Sequence, residues 1–239
     1  MAPKKNPSPS ISAARAEILS WTAGLGAVTA EALAIRLQIG VGSARARLLS
    51  VERHDLLARH RPLADRPSLY TITRRGLRTI CVRGLDPARV SAAGASHLIE
   101  CAHVAAALEL SYPDYRIAGE RELRRDERER GRTLASAELG IDADAQSRHR
   151  PDLVLWPCDP HAGLPVAIEV ELTVKAPERL RAICRAWARA RCVAGVLYLA
   201  PPAVERALLD AVDRAHAHER IAVVPLDALS RERPVPSGA

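Results

Sequence analysis

Asp152, Glu169, Glu171 and Lys175 are the residues whose types and spacing point most directly to chemistry. Asp152 follows Arg150-Pro151 and opens the short apolar run Leu153-Val154-Leu155-Trp156. The next apolar segment, 165–175, alternates. On a strand, side chains take opposite faces in turn. Val166, Ile168, Val170, Leu172 and Val174 then share one face, and Ala167, Glu169, Glu171, Thr173 and Lys175 the other. An acid entering one strand and a Glu-x-Glu on the next could hold a hard divalent cation such as Mg²⁺ or Mn²⁺, since such ions take oxygen ligands and keep several waters. A cation so placed activates water and offsets charge on a phosphoryl group. The same acids could equally face solvent beside arginines. Lys4 and Lys5 apart, Lys175 is the only lysine in the sequence, against 32 arginines. A compact ammonium and a planar fork are not interchangeable, so Lys175 has either a specific role or a position owed to chance.

A second group lies upstream. His97, Glu100 and His103 recur three residues apart in the helical stretch from Ser96, and so share one face. They could assist a metal or phosphate site, or form a polar helix surface. Cys158 and His161 make only an isolated pair, and the five cysteines are scattered without a Cys-x-x-Cys. Free thiols in a reducing compartment, with no zinc site, are the expectation.

The elements that position these residues follow from composition and pattern. With no Phe, three Trp and four Tyr, the core must be built of Leu, Val, Ile and Ala. The net charge of +7 is uneven: residues 1–95 hold 15 Lys/Arg against 6 Asp/Glu, and the remainder 20 against 22. A basic N-terminal module points to a polyanionic partner. No apolar run reaches the roughly 18 residues of a spanning helix, and no signal-peptide pattern is present. A cytoplasmic protein without a membrane partner is expected.

Residues 1–12 read as a disordered Pro/Ser tail. Helices follow from Ala13, from an N-cap at Thr29, and from a cap at Ser43, where Leu48, Leu49 and Val51 pack inward and Arg45, Arg47 and Arg53 face out. A hairpin with a Pro62–Pro67 turn carries Arg59, Arg61 and Arg66, and Thr73-Arg74-Arg75 opens a further helix or turn. Residues 85–95 read as a linker. Ser96 begins a long helix, Tyr115–Ala118 a strand, 120–132 a solvated helix or flexible excursion, and 133–149 a loop. Pro177 suits the first turn of a helix, with Leu180, Ile183 and Trp187 inward and Arg181, Arg185 and Arg189 on another face. A buried strand at 193–200, a helix from Pro201 and a strand at 221–226 complete the domain, and 229–239 reads as a tail.

The three helices, the hairpin and the run Ser-Leu-Tyr-Thr-Ile-Thr-Arg-Arg-Gly-Leu resemble a bacterial winged helix-turn-helix over residues 13–84. The resemblance implies that the helix begun at Ser43 enters a major groove of double-stranded DNA, that Arg59, Arg61 and Arg66 meet phosphate, and that Arg74 and Arg75 also contact DNA; a winged helix used for protein contacts is the alternative. From 96 to 228, Pro151-Asp152, Glu169-Val170-Glu171 and the helix from Pro177 resemble the PD-(D/E)XK nuclease superfamily. That resemblance implies a restriction-endonuclease-like mixed sheet flanked by helices, with metal on Asp152 and Glu169 and Glu100 as the helix acid some members add. The sequence departs from the pattern where Glu171 occupies the usual lysine position. Lys175 lies four residues further, about 13 Å along an extended strand. The whole chain, roughly 14–228, resembles the replication-relaxation family of plasmids and mobile elements. Two functions are therefore carried forward: a metal-dependent DNA endonuclease or nickase, and a non-catalytic DNA-binding regulator or replication accessory. Cleavage of both strands would favour a homodimer.

Overall fold

The computed structural model describes residues 11–140, 148–159 and 161–231. Most of the expected tails, 1–10 and 232–239, lies outside the described residues. The architecture is mixed α and β: a mostly helical N-terminal part, then a five-stranded mixed sheet flanked by helices.

The first helices begin and end for local reasons. In α1 (Ala13–Leu25), the Ser12 hydroxyl accepts from the Arg15 amide. Thr29 accepts from the Ala32 amide and caps α2 (Ala30–Leu37) as expected, satisfying a donor the first turn leaves open. Gln38 then takes a left-handed conformation, and α3 (Val41–Glu52) starts from an extended Gly40. The expected cap at Ser43 is therefore corrected. The chain has already turned at Gln38, so Ser43 falls inside the first turn with its side chain exposed. Ala44, Leu48 and Val51 form the buried stripe of α3, with Leu49 half-buried.

Strands β1 (Leu57–His60) and β2 (Leu69–Ile72) pair antiparallel, and Val28 bridges to Tyr70 on the other side of β2. Thr73 caps α4 (Arg74–Thr79) by accepting from the Gly76 amide. Gly76 cannot be replaced without movement, because a Cβ there would stand 2.3 Å from the Leu56 carbonyl oxygen.

The long helix α5 (Ala92–Ser111) starts four residues before the expected Ser96, because Ser91 accepts from the Gly94 amide and caps it. Its alanines serve two cores. Ala102 and Ala106 join Leu19, Leu33, Leu48 and Tyr70 of the N-terminal part. Val104, Ala105 and Leu108 pack on the sheet with Leu153, Ile168, Val170 and Leu199.

Next come β3 (Tyr115–Gly119), α6 (Glu120–Arg130) and β4 (Ala137–Glu138), then β5 (Arg148–His149), β6 (Leu153–Pro157) and β7 (Val166–Val170). The segment expected to be a loop thus contains the two halves of a short ladder, in which Ala137 faces His149. The chain closes with α7 (Pro177–Arg189), β8 (Gly195–Ala200), α8 (Pro202–Arg214), β9 (Ile221–Pro225) and α9 (Ala228–Arg231); the last runs into the segment expected to be a tail.

The main sheet runs β3-β6-β7-β8-β9. β6 runs antiparallel to both of its neighbours, β3 and β7, while β7, β8 and β9 run parallel. Helices α7 and α8 cover one face through Leu180, Ile183, Trp187, Val204 and Leu208, against Val154, Ala167, Val196 and Tyr198. The other face receives α5. Gly119 ends β3 close to α1, where a Cβ would lie 2.5 Å from the Gly24 carbonyl oxygen.

The strand expected through Lys175 ends at Val170. One more ladder bond, Glu171 N–H to Leu199 O at 3.0 Å, follows it. The chain then bends at Thr173 before the helix begun by Pro177. Val174, expected on the apolar face, is exposed. Alternation alone could not mark this end: the pairing with β6 starts only at Leu153, opposite Ile168, and among the described residues no ladder with an antiparallel partner continues beside 171–175.

Candidate functional site

The acidic residues meet where β6 begins and β7 ends. Leu153 pairs with Ile168 in the antiparallel register, so Asp152 falls opposite Glu169. The Asp152 backbone carbonyl accepts from the Glu120 amide at 2.9 Å. Its carboxylate is held on two sides: Oδ2 accepts from the Val170 amide at 2.8 Å, and Oδ1 lies 2.9 Å from His97 Nε2 on α5.

Glu169 turns to the opposite sheet face, as the alternation requires, and is 3% exposed. Its Oε1 accepts from Trp187 Nε1 at 3.1 Å and lies 2.7 Å from His149 Nε2. His149 also packs edge-on against Trp187. Burial pushes the Glu169 carboxyl above its usual range, and His149 pulls it back down. Burial works against charging His149, but the charge of Glu169 and their hydrogen bond outweigh it and hold His149 above its ordinary value. The hydrogen bond to Asp152 likewise raises His97, against the effect of burial.

Lys175 returns to this acidic group. The bend after β7 brings its ammonium into an ion pair with Glu171, itself 5% exposed. Burial lowers the Lys175 pKa, while Glu169 and Asp152 act in the opposite direction. The structure thus pairs Lys175 with Glu171 and gives Asp152 and Glu169, on opposite sheet faces, one histidine each.

Glu100 is not drawn in. Its carboxylate lies 3.9 Å from His103 Nδ1, and the neighbouring His103 holds its pKa below the usual value. The expected face of His97, Glu100 and His103 thus divides: His97 reaches Asp152, whereas His103 stands 3.5 Å from the Thr29 hydroxyl. His97 sits instead with Cys101, whose Sγ is 3.4 Å from His97 Nε2. Burial pushes the Cys101 thiol well above its ordinary value. Among the described residues, His97, Cys101 and Asp152 form a group whose potential ligand atoms all lie within 4.8 Å of one another, and Cys158 and His161 belong to no such group. Free thiols were expected, and all five cysteines are free.

His149 escaped the reading of the sequence because it lay in the segment taken for a loop. Its position three residues before Asp152 was the available signal. Strand β5 places it above Glu169 and beside Trp187.

The N-terminal surface is arranged differently. Ser43, Arg45, Arg47 and Arg53 are exposed along α3. Between α2, α3 and the hairpin lies a cavity of about 670 Å³ lined by Glu31, Arg45, Arg59, Arg61, Arg66 and Tyr70. Arg59 donates to the Ser68 hydroxyl at 3.1 Å and lies over Tyr70. Arg45 and Arg75 make long ion pairs of 3.6 Å, to Glu31 and Asp55. Arg47, Arg53, Arg61, Arg66 and Arg74 make no side-chain hydrogen bond or ion pair among the described residues.

No helix among the described residues is long and apolar enough to cross a membrane. Comparison of the chain with protein-family models, with curated proteins and with solved structures finds no match.

Proposed function

We propose that this chain binds double-stranded DNA through an N-terminal winged helix and cuts or nicks it at a PD-(D/E)XK-like site, in the replication or relaxation of a plasmid or mobile element in the cytoplasm. The observation that carries the nuclease reading is the return of Lys175 to the acidic group. The sequence lacks a lysine two positions after Glu169, and the bend after Val170 brings one back from further along the chain. The antiparallel β3-β6-β7 meander followed by parallel β8 and β9 supports the same reading.

The donor chemistry suits a hard divalent cation, which would have to sit at the strand ends, because Asp152 turns to α5 and Glu169 to α7. Asp152 and Glu169 supply two carboxylates on adjacent strand ends, one oriented by the Val170 amide and the other by the Trp187 indole. Mg²⁺ or Mn²⁺ held by these two residues would activate water and offset phosphoryl charge. Lys175 would hold a phosphate oxygen, and Glu171 would keep its ammonium in place. The exposed face of α3 would enter the major groove, with the hairpin arginines on phosphate. Cutting both strands would call for a homodimer.

A second reading has its own observation. Asp152 and Glu169 each already hold a histidine, and Glu171 holds Lys175. A sheet with its acids satisfied in this way suits a DNA-binding regulator or replication accessory that does not cut.

Supercoiled plasmid incubated with the protein and Mg²⁺, Mn²⁺ or chelator separates the two. The nuclease reading expects metal-dependent nicking or linearisation, lost in Asp152→Ala and Glu169→Ala. A gel shift retained by wild type and both variants, with no cutting under any condition, would select the regulator. In either case, affinity that stays flat between about 50 and 200 mM salt would remove DNA as the partner.

A further inference from the structure

We propose that His97, Cys101 and Asp152 form a second cation position, selective for a divalent transition metal of the Zn²⁺ or Co²⁺ kind rather than for Mg²⁺. The inference rests on the reading of Asp152 as a metal ligand and extends it to the α5 side of the carboxylate.

The geometry begins with helical spacing. His97 and Cys101 are four residues apart on α5, so their side chains lie one above the other on a single face. The start of β6 brings Asp152 to that face from a distant part of the chain. The three donor atoms converge within 4.8 Å, with Nε2–Oδ1 at 2.9 Å and Sγ–Nε2 at 3.4 Å. Tetrahedral zinc with ordinary Zn–N, Zn–O and Zn–S bonds would separate such ligands by about 3.4–3.6 Å. The sulfur–nitrogen pair is already at that spacing. The nitrogen–oxygen pair, now a hydrogen bond, needs to open by about half an ångström.

The supporting contacts suit the role. The Val170 amide fixes Asp152 Oδ2, leaving Oδ1 directed at His97, as outer partners orient metal-binding carboxylates. Imidazole and thiolate select zinc-like ions, whereas Mg²⁺ takes oxygen donors. The His97 side chain is 40% exposed. Three protein ligands with one side open to solvent leave a fourth coordination position for water or a phosphate oxygen.

The test is a cobalt titration of the full, metal-free chain carrying Cys81→Ser and Cys158→Ser, which removes the two exposed thiols. Binding is expected to produce a near-ultraviolet thiolate-to-cobalt charge-transfer band together with visible d–d bands, displaced by Zn²⁺ and unaffected by excess Mg²⁺. Cys101→Ser should abolish the charge-transfer band. His97→Gln should weaken Co²⁺ binding by roughly tenfold or more. Absence of the band in the folded parent, or its survival in Cys101→Ser, would overturn the proposal. If Cys101→Ser does not fold by circular dichroism, alkylation of Cys101 in the parent decides: protection by Zn²⁺ supports the site and lack of protection refutes it. Glu169→Gln and plasmid nicking keep the two proposals separable. A band retained in Glu169→Gln while nicking is lost supports both. Nicking without any band leaves the nuclease and removes the second cation position.

Discussion

Two regions of this molecule handle charge in opposite ways. On the N-terminal surface, Arg47, Arg53, Arg61 and Arg74 make no ion pair among the described residues. At the ends of β6 and β7, Asp152, Glu169, Glu171 and Lys175 are partly or wholly buried, and each has a partner. Exposed charge without a partner contributes little to folding and is available to a polyanion. Buried charge must be paired, because an isolated buried ion is too costly to keep. The first region should therefore respond to mutation in binding, and the second in stability as well as in chemistry.

The largest effect is expected from removing what encloses Glu169. Trp187 is fully buried and donates to that carboxylate. Trp187→Ala should cost about 3–5 kcal/mol in a denaturant titration through the cavity alone. Trp187→Phe keeps most of the volume but leaves Glu169 one donor short, and should cost about 1–3 kcal/mol. No measurable cost for Trp187→Phe would deny that the indole hydrogen bond matters.

Next comes the basic surface. Arg47→Ala and Arg61→Ala should each weaken DNA binding and reduce the slope of log affinity against log salt by about one if the side chain meets a phosphate. Unfolding free energy should stay within about 0.5 kcal/mol. A stability loss comparable to that of Trp187→Phe would erase the contrast between the regions.

The third effect is a pH dependence confined to the sheet site. His97 and His149 have folded pKa values above their ordinary 6.5. Their contribution is full below 6.5 and is lost as pH rises through the higher folded values. Glu169, raised from 4.5 by burial, acts in the same direction, because the native state keeps a proton that the unfolded chain releases. Stability should therefore fall as pH rises from about 4.5 through the histidine range, at no more than about 1.4 kcal/mol per pH unit for each extra proton held. His149→Gln should flatten that fall in chemical denaturation at a series of pH values; an unchanged slope would assign the proton elsewhere.

The smallest effect concerns the frame of the N-terminal part. Thr29→Ala removes the cap of α2 and should cost about 1 kcal/mol by thermal unfolding, with DNA binding retained below the transition.

Much of the local structure was legible before the fold. The cap at Thr29, the helix from Pro177 with Leu180, Ile183 and Trp187 inward, and the alternation from Val166 to Val170 each follow from residues adjacent on the chain or one turn apart. Even the α3 stripe was readable, although its start was misplaced from Gly40 to Ser43, because the turn is made by a left-handed Gln38 rather than by a side-chain cap. Glu100 shows the limit of such reasoning. It shares a helix with His97 and Cys101, yet its carboxylate goes to His103.

The sequence by itself determined most of the helices and the main-sheet strands, which of their faces are apolar, where the positive charge collects, and that a few acids and one lysine stand apart from the rest. These properties depend on spacing within one or two turns of the chain. The tertiary structure decided that β7 stops at Val170, that Lys175 turns back to Glu171, that His149 reaches Glu169, and that His97 and Cys101 meet Asp152. Each of those contacts depends on strand order, on register and on where a neighbouring strand ends, and no local periodicity carries that information.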